Sequence, residues 1–390
     1  MKSFKGLTWD HPRGKDALIA FAKLISRERD EFELQWDVQS LEGFESAPIA
    51  KLCEAYDILI IDHPHLGEAC AHNCLQPWDN FLTPEQQQSL DEKTVGPSLP
   101  SYVMNDQLWA LPLDAATQVA VQKPHLLKNA PDTWEDVLAL AQTDGRVALS
   151  WAGPHAFLSF LSICAAFDIG FGLHPAQMVQ NRDGAISVLD LLAKLDKYQP
   201  EATRQLNPIG LLEYMTNHDD VIYCPLVYGY VNYAQLDARE RLSFLNAPKG
   251  PSGFRGSTIG GTGIALSANC TPSPQLIKHL IDMLNGVSQH TLIPENNGQP
   301  SLRSAWKDDS INQASGDFYK NTLDTIDTAY VRPRFNGYIQ FQSEASQLLR
   351  ANLQAQLPSS SILKNLEELY VFHKDLNPTQ NTAPHPAKGN

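Results

Sequence analysis

Residues 57–65 read DILIIDHPH. Four consecutive aliphatic side chains between aspartates show no polar–apolar alternation, the pattern of a strand buried on both faces. Strands of that kind lie inside parallel sheets covered by helices, so the flanking sequence should supply strand–helix units. It does. Residues 5–10 read as a short strand. Residues 15–27 carry apolar side chains at 17, 18, 21, 24 and 25, a helical spacing, and residues 32–38 alternate as a strand. Residues 48–55 read as a short helix leading into DILIID. This β-α-β-α-β order predicts an α/β protein with helices on both sides of a parallel sheet.

Further along, residues 107–123 (QLWALPLDAATQVAVQK) read as two extended segments joined across 114–117. Residues 131–142 read as a helix with Thr133 as N-cap and Glu135 and Asp136 in its first turn. Residues 147–167 carry no Asp, Glu, Lys or Arg and approach the ~20 residues needed to span a bilayer. Gly153, Pro154 and His155 interrupt the run, which therefore reads as a buried strand (147–151), a turn and a core helix (155–167) rather than a span. A buried strand is expected at 221–226, and the glycine-rich 257–267 (STIGGTGIALS) should end as a strand. Helices are expected at 274–289, 311–327, 340–356 and 360–372. Residues 373–390, rich in Pro, Asn and Thr, read as a flexible tail.

The chain has 390 residues, more than one core usually accommodates, which predicts two domains. Lys and Arg number 30 against 44 Asp and Glu, a net charge of −14, so no basic surface is available for nucleic acid. The six cysteines (Cys53, Cys70, Cys74, Cys164, Cys224, Cys270) are too few for a disulfide scaffold. In MKSFKGLTWDHPRG the basic residues Lys2 and Lys5 are not followed by the apolar run of a secretory signal. Met1 as the true start would place the protein in the cytoplasm; a mature end left by processing would place it in the periplasm.

The ordered segments resemble the extracellular solute-binding proteins of ABC importers, in particular the sugar-binding group that includes maltose-binding protein. DILIIDHPHL followed by CLQPWDNFL is similar to that family's strand, polar loop and "pLdd-l" segment. QLWALPLDAATQVAVQKPHLL is similar to its "Gly-x-x-Tyr-Ala-Leu-Pro" hinge region, and APDTWEDVLALAQ to its "pPkTWdEl" element. FRGSTIGGTGIALSANC resembles the second hinge crossing, and NNGQPSLRSAW the "g-x-x-P-x-R" loop. The matches keep the family's order over residues 7–370. The resemblance implies a periplasmic-binding-protein-like type II fold, two α/β lobes with a ligand cleft. Lobe one would be 1–111 and 257–305, lobe two 112–256 and 306–372, with crossings near 111–117 and 257–263.

Ligands of parallel sheets bind beyond the carboxyl ends of the strands. Trp9, Asp10, His11 and Arg13 follow the first strand; Asp62, His63 and His65 follow the DILIID strand; Tyr228, Tyr230 and Asn232 follow 221–226. Trp9, Trp151, Tyr228 and Tyr230 suit the apolar face of a sugar, while Asp10, Asp62, Asp114 and Asn232 suit its hydroxyls. Gly260, Gly261 and Thr262 are not a phosphate loop, because neither Lys-Ser/Thr nor a helix follows them. They are expected to bring backbone N–H groups close to the cleft. Arg332 is placed to clamp an acidic ligand group, with Arg334 and Arg303 as weaker candidates. The His–carboxylate pairs have the chemistry to ligate a divalent metal, but histidines in converging strand-end loops commonly just donate hydrogen bonds, and the stretch 70–74 lacks a second ligand pair of the usual spacing, so no metal and no cofactor are expected.

Two functions follow. The first is capture of a small polar solute, a saccharide or sugar acid, by a receptor whose partner is an ABC permease. The second is a cytoplasmic enzyme on the same fold, as in thiaminase I, a family resembling solute-binding proteins that uses a cleft cysteine. Asp10, His11, Asp62 and His63 would then carry protons, and Cys224 is the best-placed thiol. No nucleophile–base–orienter set stands at a signature spacing, which favours binding.

Overall fold

The computed structural model describes residues 2–28, 32–174, 177–235 and 241–376. Strand β1 (Lys2–Trp9) leads through helix α1 (Pro12–Glu28) to β2 (Phe32–Gln39), and helices α2 (Leu41–Ser46) and α3 (Ile49–Ala55) lead to β3 (Ile58–Ile61). β1 pairs in parallel with both β2 and β3. After α4 (Leu66–His72) comes the long strand β4 (Leu111–Gln122), every residue of which is buried. Helix α5 (His155–Ala166), β5 (Tyr223–Tyr228), β6 (Ser243–Leu245), β7 (Ile259–Ser267), α6 (Tyr338–Gln354) and α7 (Ser359–Leu376) complete the frame.

The sheet order is β5-β4-β7-β3-β1-β2, with β6 also on β4. β4 changes partners halfway along. Its first half lies antiparallel to β7, from Leu111 opposite Ile264 to Thr117 opposite Ile259, and its second half pairs with β5 and β6. One strand thus links the sheet around β3 and β1 to the pairing with β5 and β6, with β7 running beside its first half. Tyr330 joins the same seam through backbone bonds to Ser257 and Ile259, at 2.7 and 2.8 Å. Phe4, Leu7, Ile58–Ile61, Trp78 and Ile264 share one core; Phe157, Phe160, Phe341 and Tyr370 share another. A third, containing Val119, Cys224, Val227, Trp306 and Phe318, lies under the second half of β4.

Four expectations are corrected. Residues 107–123 do not break at 114–117, because the Asp114 carboxylate is neutralised inside the strand by Arg13. Residues 147–151 are buried but form no strand beyond a single bridge at Val147. There the Gln199 side chain takes the place of a neighbouring strand, accepting from Leu149 N–H (2.9 Å) and donating to Leu149 O (3.1 Å). The helix expected at 274–289 stops at Asp282, and a π turn, Ser288–Leu292, follows. The tail begins later than residue 373: α7 continues to Leu376 and buries His373, while 377–390 lie outside the described residues. Among the described residues no helix is long and apolar enough to cross a membrane.

The helix Trp134–Thr143 has the expected cap. Thr133 Oγ1 accepts from Asp136 N–H, and Asp136 Oδ2 accepts from Thr133 N–H, both at 3.1 Å. Thr133→Ala is expected to cost about 1 kcal/mol of unfolding free energy, measured in urea, and an unchanged midpoint would refute the cap's role.

Candidate functional site

Asp62 ends β3 and accepts from His63 N–H (2.8 Å) and from Arg332 Nη2 (2.5 Å). Arg332 is buried; its Nη1 donates to Gln342 Oε1 (3.1 Å) and its Nη2 to Ile259 O (3.3 Å). Burial alone would raise the Asp62 carboxyl, but the positive charge of Arg332 and contact with His63 outweigh it and hold the group well below the usual carboxylate range. Burial likewise disfavours the charged guanidinium, and Asp62 more than offsets this, raising Arg332. His63 is fully buried. Burial first, then Arg332, lowers it to about 4 against the pull of Asp62, so its ring is neutral at physiological pH.

The second pair sits at the other side of the seam. Arg13, in the first turn of α1, donates from Nε to Asp114 Oδ2 (2.9 Å) and from Nη2 to Asp114 Oδ1, a bidentate pair. Its Nη1 donates to Gly229 O (3.1 Å), and the guanidinium lies 4.8 Å from the centre of the Tyr230 ring. His11 Nδ1 accepts from Arg13 N–H (3.2 Å), and its ring meets Tyr230 edge-on with centroids 4.9 Å apart. Burial, then Arg13 and Lys15, lowers His11 to about 4. The end of β1 and the start of α1 therefore grip the turn after β5.

A third contact was missed in the sequence. His155 Nε2, at the start of α5, lies 3.1 Å from Glu45 Oε1 of α2, and nearby Asn207 Nδ2 donates to Glu42 Oε1 (3.2 Å). The signal for His155 was present: it is a buried imidazole at the head of an otherwise apolar helix. Glu45 and Glu42 gave none, being ordinary polar residues of a short amphipathic turn. Tyr338 was also missed. It stands beside Arg332 and Tyr228, and its hydroxyl is buried with no hydrogen-bond partner in the protein. The same holds for Arg332 Nε, Asn232 Oδ1, His63 Nε2 and His155 Nδ1, whereas His63 Nδ1 lies 3.0 Å from Asp62 Oδ1.

The structure brings together His11, Asp62, His63, Asp114, Tyr228, Tyr230 and Arg332 along this seam. Others sit largely in the cores or on the surface. Trp9 is 3% exposed and packs in the first core on Phe44, with ring centroids 5.0 Å apart, and on Gly14, while the Arg13 guanidinium lies 6.0 Å from its ring centre. Asp10 points to solvent and pairs with Lys15. His65 is buried with Nε2 3.1 Å from Phe44 O, and serves packing. The Trp151 side chain lies in the second core, and its carbonyl accepts from Arg350 Nη1 (2.6 Å). Arg334 holds the carbonyls of Pro100, Ser101 and Val103, and Arg303 pairs with Asp327 on the surface.

The glycines serve the crossing rather than presenting a row of N–H groups. Gly261 has φ +90, and a Cβ there would lie 2.3 Å from Asp114 O; one on Gly260 would lie 2.6 Å from the Tyr228 ring. Both residues are paired with β4, opposite Ala115 and Ala116, just before a register shift between Thr262 and Gly263. Thr262 is buried, lining a small recess with Trp9, Arg13, Asp114 and Gln299. Asp62 and Gln342 already take Nη2 and Nη1 of Arg332, which leaves only its Nε without a partner in the protein.

The acid–base candidates are poorly tuned for proton transfer. Asp62 is held ionised as a very weak base, and His63 and His11 are lowered far from neutrality. Burial pushes the Cys224 thiol up to about 12, so almost no thiolate is present. Both strong charge pairs are internally neutral.

Solved structures share this fold. Maltose-bound MalE3 of T. maritima superposes with a TM-score of 0.77 at 16% identity, covering 95% of this chain and 100% of that one. A solute-binding protein of Thermotoga lettingae with α-D-tagatose gives 0.78 at 14% identity, covering 96% and 100%. One from Agrobacterium vitis with D-mannitol gives 0.74 at 16% identity, covering 97% and 100%. The chain therefore has the type II periplasmic-binding-protein fold, two α/β lobes about a cleft. No protein-family model matches the chain, and no curated protein sequence matches it.

Proposed function

We propose that this protein binds a small uncharged polyhydroxy compound, a saccharide or polyol, between its lobes as the receptor of an ABC importer. The observation that carries the reading is the seam itself. Arg13 with Asp114 and Arg332 with Asp62 leave no net charge, while Tyr228 and Tyr230 supply aromatic surface. The buried hydroxyl of Tyr338, Nε of Arg332, Oδ1 of Asn232, Nε2 of His63 and Nδ1 of His155, which have no hydrogen-bond partner in the protein, would supply donors and acceptors for hydroxyl groups. The solved structures of similar fold hold maltose, α-D-tagatose and D-mannitol, all uncharged polyhydroxy compounds. Closure about the guest would give the permease a distinct surface to read.

A thermal-shift screen over neutral sugars, polyols and sugar acids tests this. At least one neutral compound should raise the melting temperature in a concentration-dependent way, as a ligand of the folded state must. Stabilisation by sugar acids alone, or by none of the panel, would overturn the reading. For the compound found, Tyr228→Ala should weaken affinity by about 1–3 kcal/mol in calorimetry, roughly tenfold to a hundredfold. Unchanged affinity would remove Tyr228 from the site.

A further inference from the structure

Outside the seam, folding brings a serine, a histidine and an aspartate within reach of one another. His290 lies in the π turn Ser288–Leu292, Ser304 in the short helix Arg303–Trp306, and Asp308 caps the helix Asp309–Ala314. His290 Nε2 is 2.8 Å from Ser304 Oγ, and His290 Nδ1 is 3.4 Å from Asp308 Oδ2. Buried side chains hold the three in place. Gln289, next to His290, accepts at Oε1 from Ser301 N–H (2.6 Å) and Leu302 N–H (3.1 Å), and its Nε2 donates to Leu113 O (3.2 Å) and Met283 O (3.1 Å). Trp306 Nε1 donates to Pro300 O (2.7 Å), and Asn312 Nδ2 to Trp306 O (2.9 Å). Gln289, Trp306 and Asn312 are all buried. Asp308 Oδ1 accepts from the capping donors Ser310 N–H (2.9 Å), Ser310 Oγ (2.5 Å) and Ile311 N–H (3.1 Å), which leaves Oδ2 toward His290. Those bonds, that of the Ser310 side chain first, hold the Asp308 carboxyl down at about 2, so it is ionised. Ser304 is exposed, and the His290 and Asp308 side chains are 30% and 32% exposed.

From this geometry we infer that Ser304, His290 and Asp308 form an acyl-transfer site for small activated carboxylic esters. With Nδ1–H turned to the Asp308 carboxylate, Nε2 carries the lone pair and accepts from the Ser304 hydroxyl. Ser304 Oγ attacks the ester carbonyl carbon while its proton passes to His290 Nε2. The bond to the leaving alcohol then breaks. The alcohol oxygen takes that proton, and the acyl group stays on Ser304. Water repeats the sequence: its oxygen adds to the acyl carbon, one of its protons passes to Nε2, and the acyl–Oγ bond breaks as Oγ recovers a proton. One ester and one water become one acid and one alcohol. Asp308 touches no substrate; it is a positioning residue that orients the ring and faces the charge formed on it. Phosphate and sulfate esters fit less well. The neighbouring cation, Arg303, is neutralised by Asp327 through bonds from both Nη atoms, at 2.8 and 2.5 Å. The open surface admits a short acyl chain without enclosing it, so base catalysis is the expected source of acceleration, about 10²–10⁴-fold. The site shares no residue with the seam and does not depend on the identity of any cleft ligand.

The test is covalent capture on the folded, full-length protein. Incubated with p-nitrophenyl acetate and quenched in acid, the protein should carry an acetyl group on Ser304, located by peptide mass spectrometry. Ser310 is the internal control: it is exposed, and its hydroxyl is bonded to the same carboxylate rather than to the imidazole. Nitrophenolate release should continue beyond one equivalent and drop in Ser304→Ala. Acetylation of Ser304 should rise with pH along a single histidine-like titration and fall about 100-fold in His290→Gln. Asp308→Asn keeps a capping side chain and removes the charge, so it should slow acetylation about tenfold or more with little change in melting temperature. A cluster with a merely structural role would show neither the pH profile nor the loss of rate in a protein that still melts normally. Ser304 acetylated no faster than Ser310, release that stops at one equivalent, or rates undiminished in His290→Gln or Asp308→Asn would each overturn the inference.

Discussion

Asp114→Ala is expected to destabilise the protein by roughly 3–5 kcal/mol, because it leaves the Arg13 guanidinium buried without its counter-charge. Both side chains of the pair are almost wholly enclosed, at 4% and 5% exposure, so water cannot replace the carboxylate. The remaining acceptor, Gly229 O at 3.1 Å, takes one of the donors and no charge. The double variant Arg13→Met/Asp114→Ala should recover much of the loss, since it removes the stranded charge and keeps an unbranched side chain in its place. Urea unfolding of the two single variants and the double variant gives the coupling directly. A loss below about 1 kcal/mol in Asp114→Ala would mean that the pair is solvated and the lobes do not meet there.

The melting temperature should fall as the pH is lowered from about 6.5 to 4, by more than the surface charges alone would give. His63 ordinarily titrates near 6.5 and is lowered to about 4 in the folded protein, with burial as the first cause and Arg332 as the second. Between those values the unfolded chain binds a proton that the folded chain refuses, so stability falls as pH falls. The contribution is fully present above 6.5 and lost by 4, roughly 3 kcal/mol for this fully buried ring. His11 works in the same direction with a smaller weight, being partly open to solvent. The buried His65 and His279 are also lowered and add to the slope. The diagnostic is therefore the difference between wild type and His63→Gln, which should melt with a shallower dependence over this range. Asp62 acts at lower pH: its depressed carboxyl stabilises above its ordinary value near 3.8 and is neutralised only further down. Identical slopes in the two proteins would show that His63 is solvated.

The contrast between Trp9 and Tyr230 shows how far the sequence could be read. Both are aromatic residues just after or at the end of a strand, and both were expected in the cleft. Trp9 packs mainly onto Phe44 and Gly14, with Arg13 6.0 Å from its ring centre, whereas Tyr230 meets both His11 and Arg13, at 4.9 and 4.8 Å. Strand alternation would assign a face only if it also said which face the partner lobe covers, and that is a long-range fact. The acids behave alike. Asp10 and Asp62 each end a strand and precede a histidine, yet one pairs with an exposed lysine and the other with a buried arginine.

What the sequence determined by itself was local. The run DILIID became β3, the spacing of residues 15–27 became α1, and Thr133 capped its helix, because periodicity and capping depend on neighbours a few residues away. The glycines at 260 and 261 announced a close backbone approach for the same reason, since a Cβ there meets atoms wherever the crossing strands touch. The tertiary structure alone decided which charges meet. Arg13 finds Asp114 across 101 residues and Arg332 finds Asp62 across 270, pairs that no spacing rule connects. Folding brings those strand ends together and excludes water from them. A lone buried charge is so costly there that each arginine takes a carboxylate from a distant stretch of the chain.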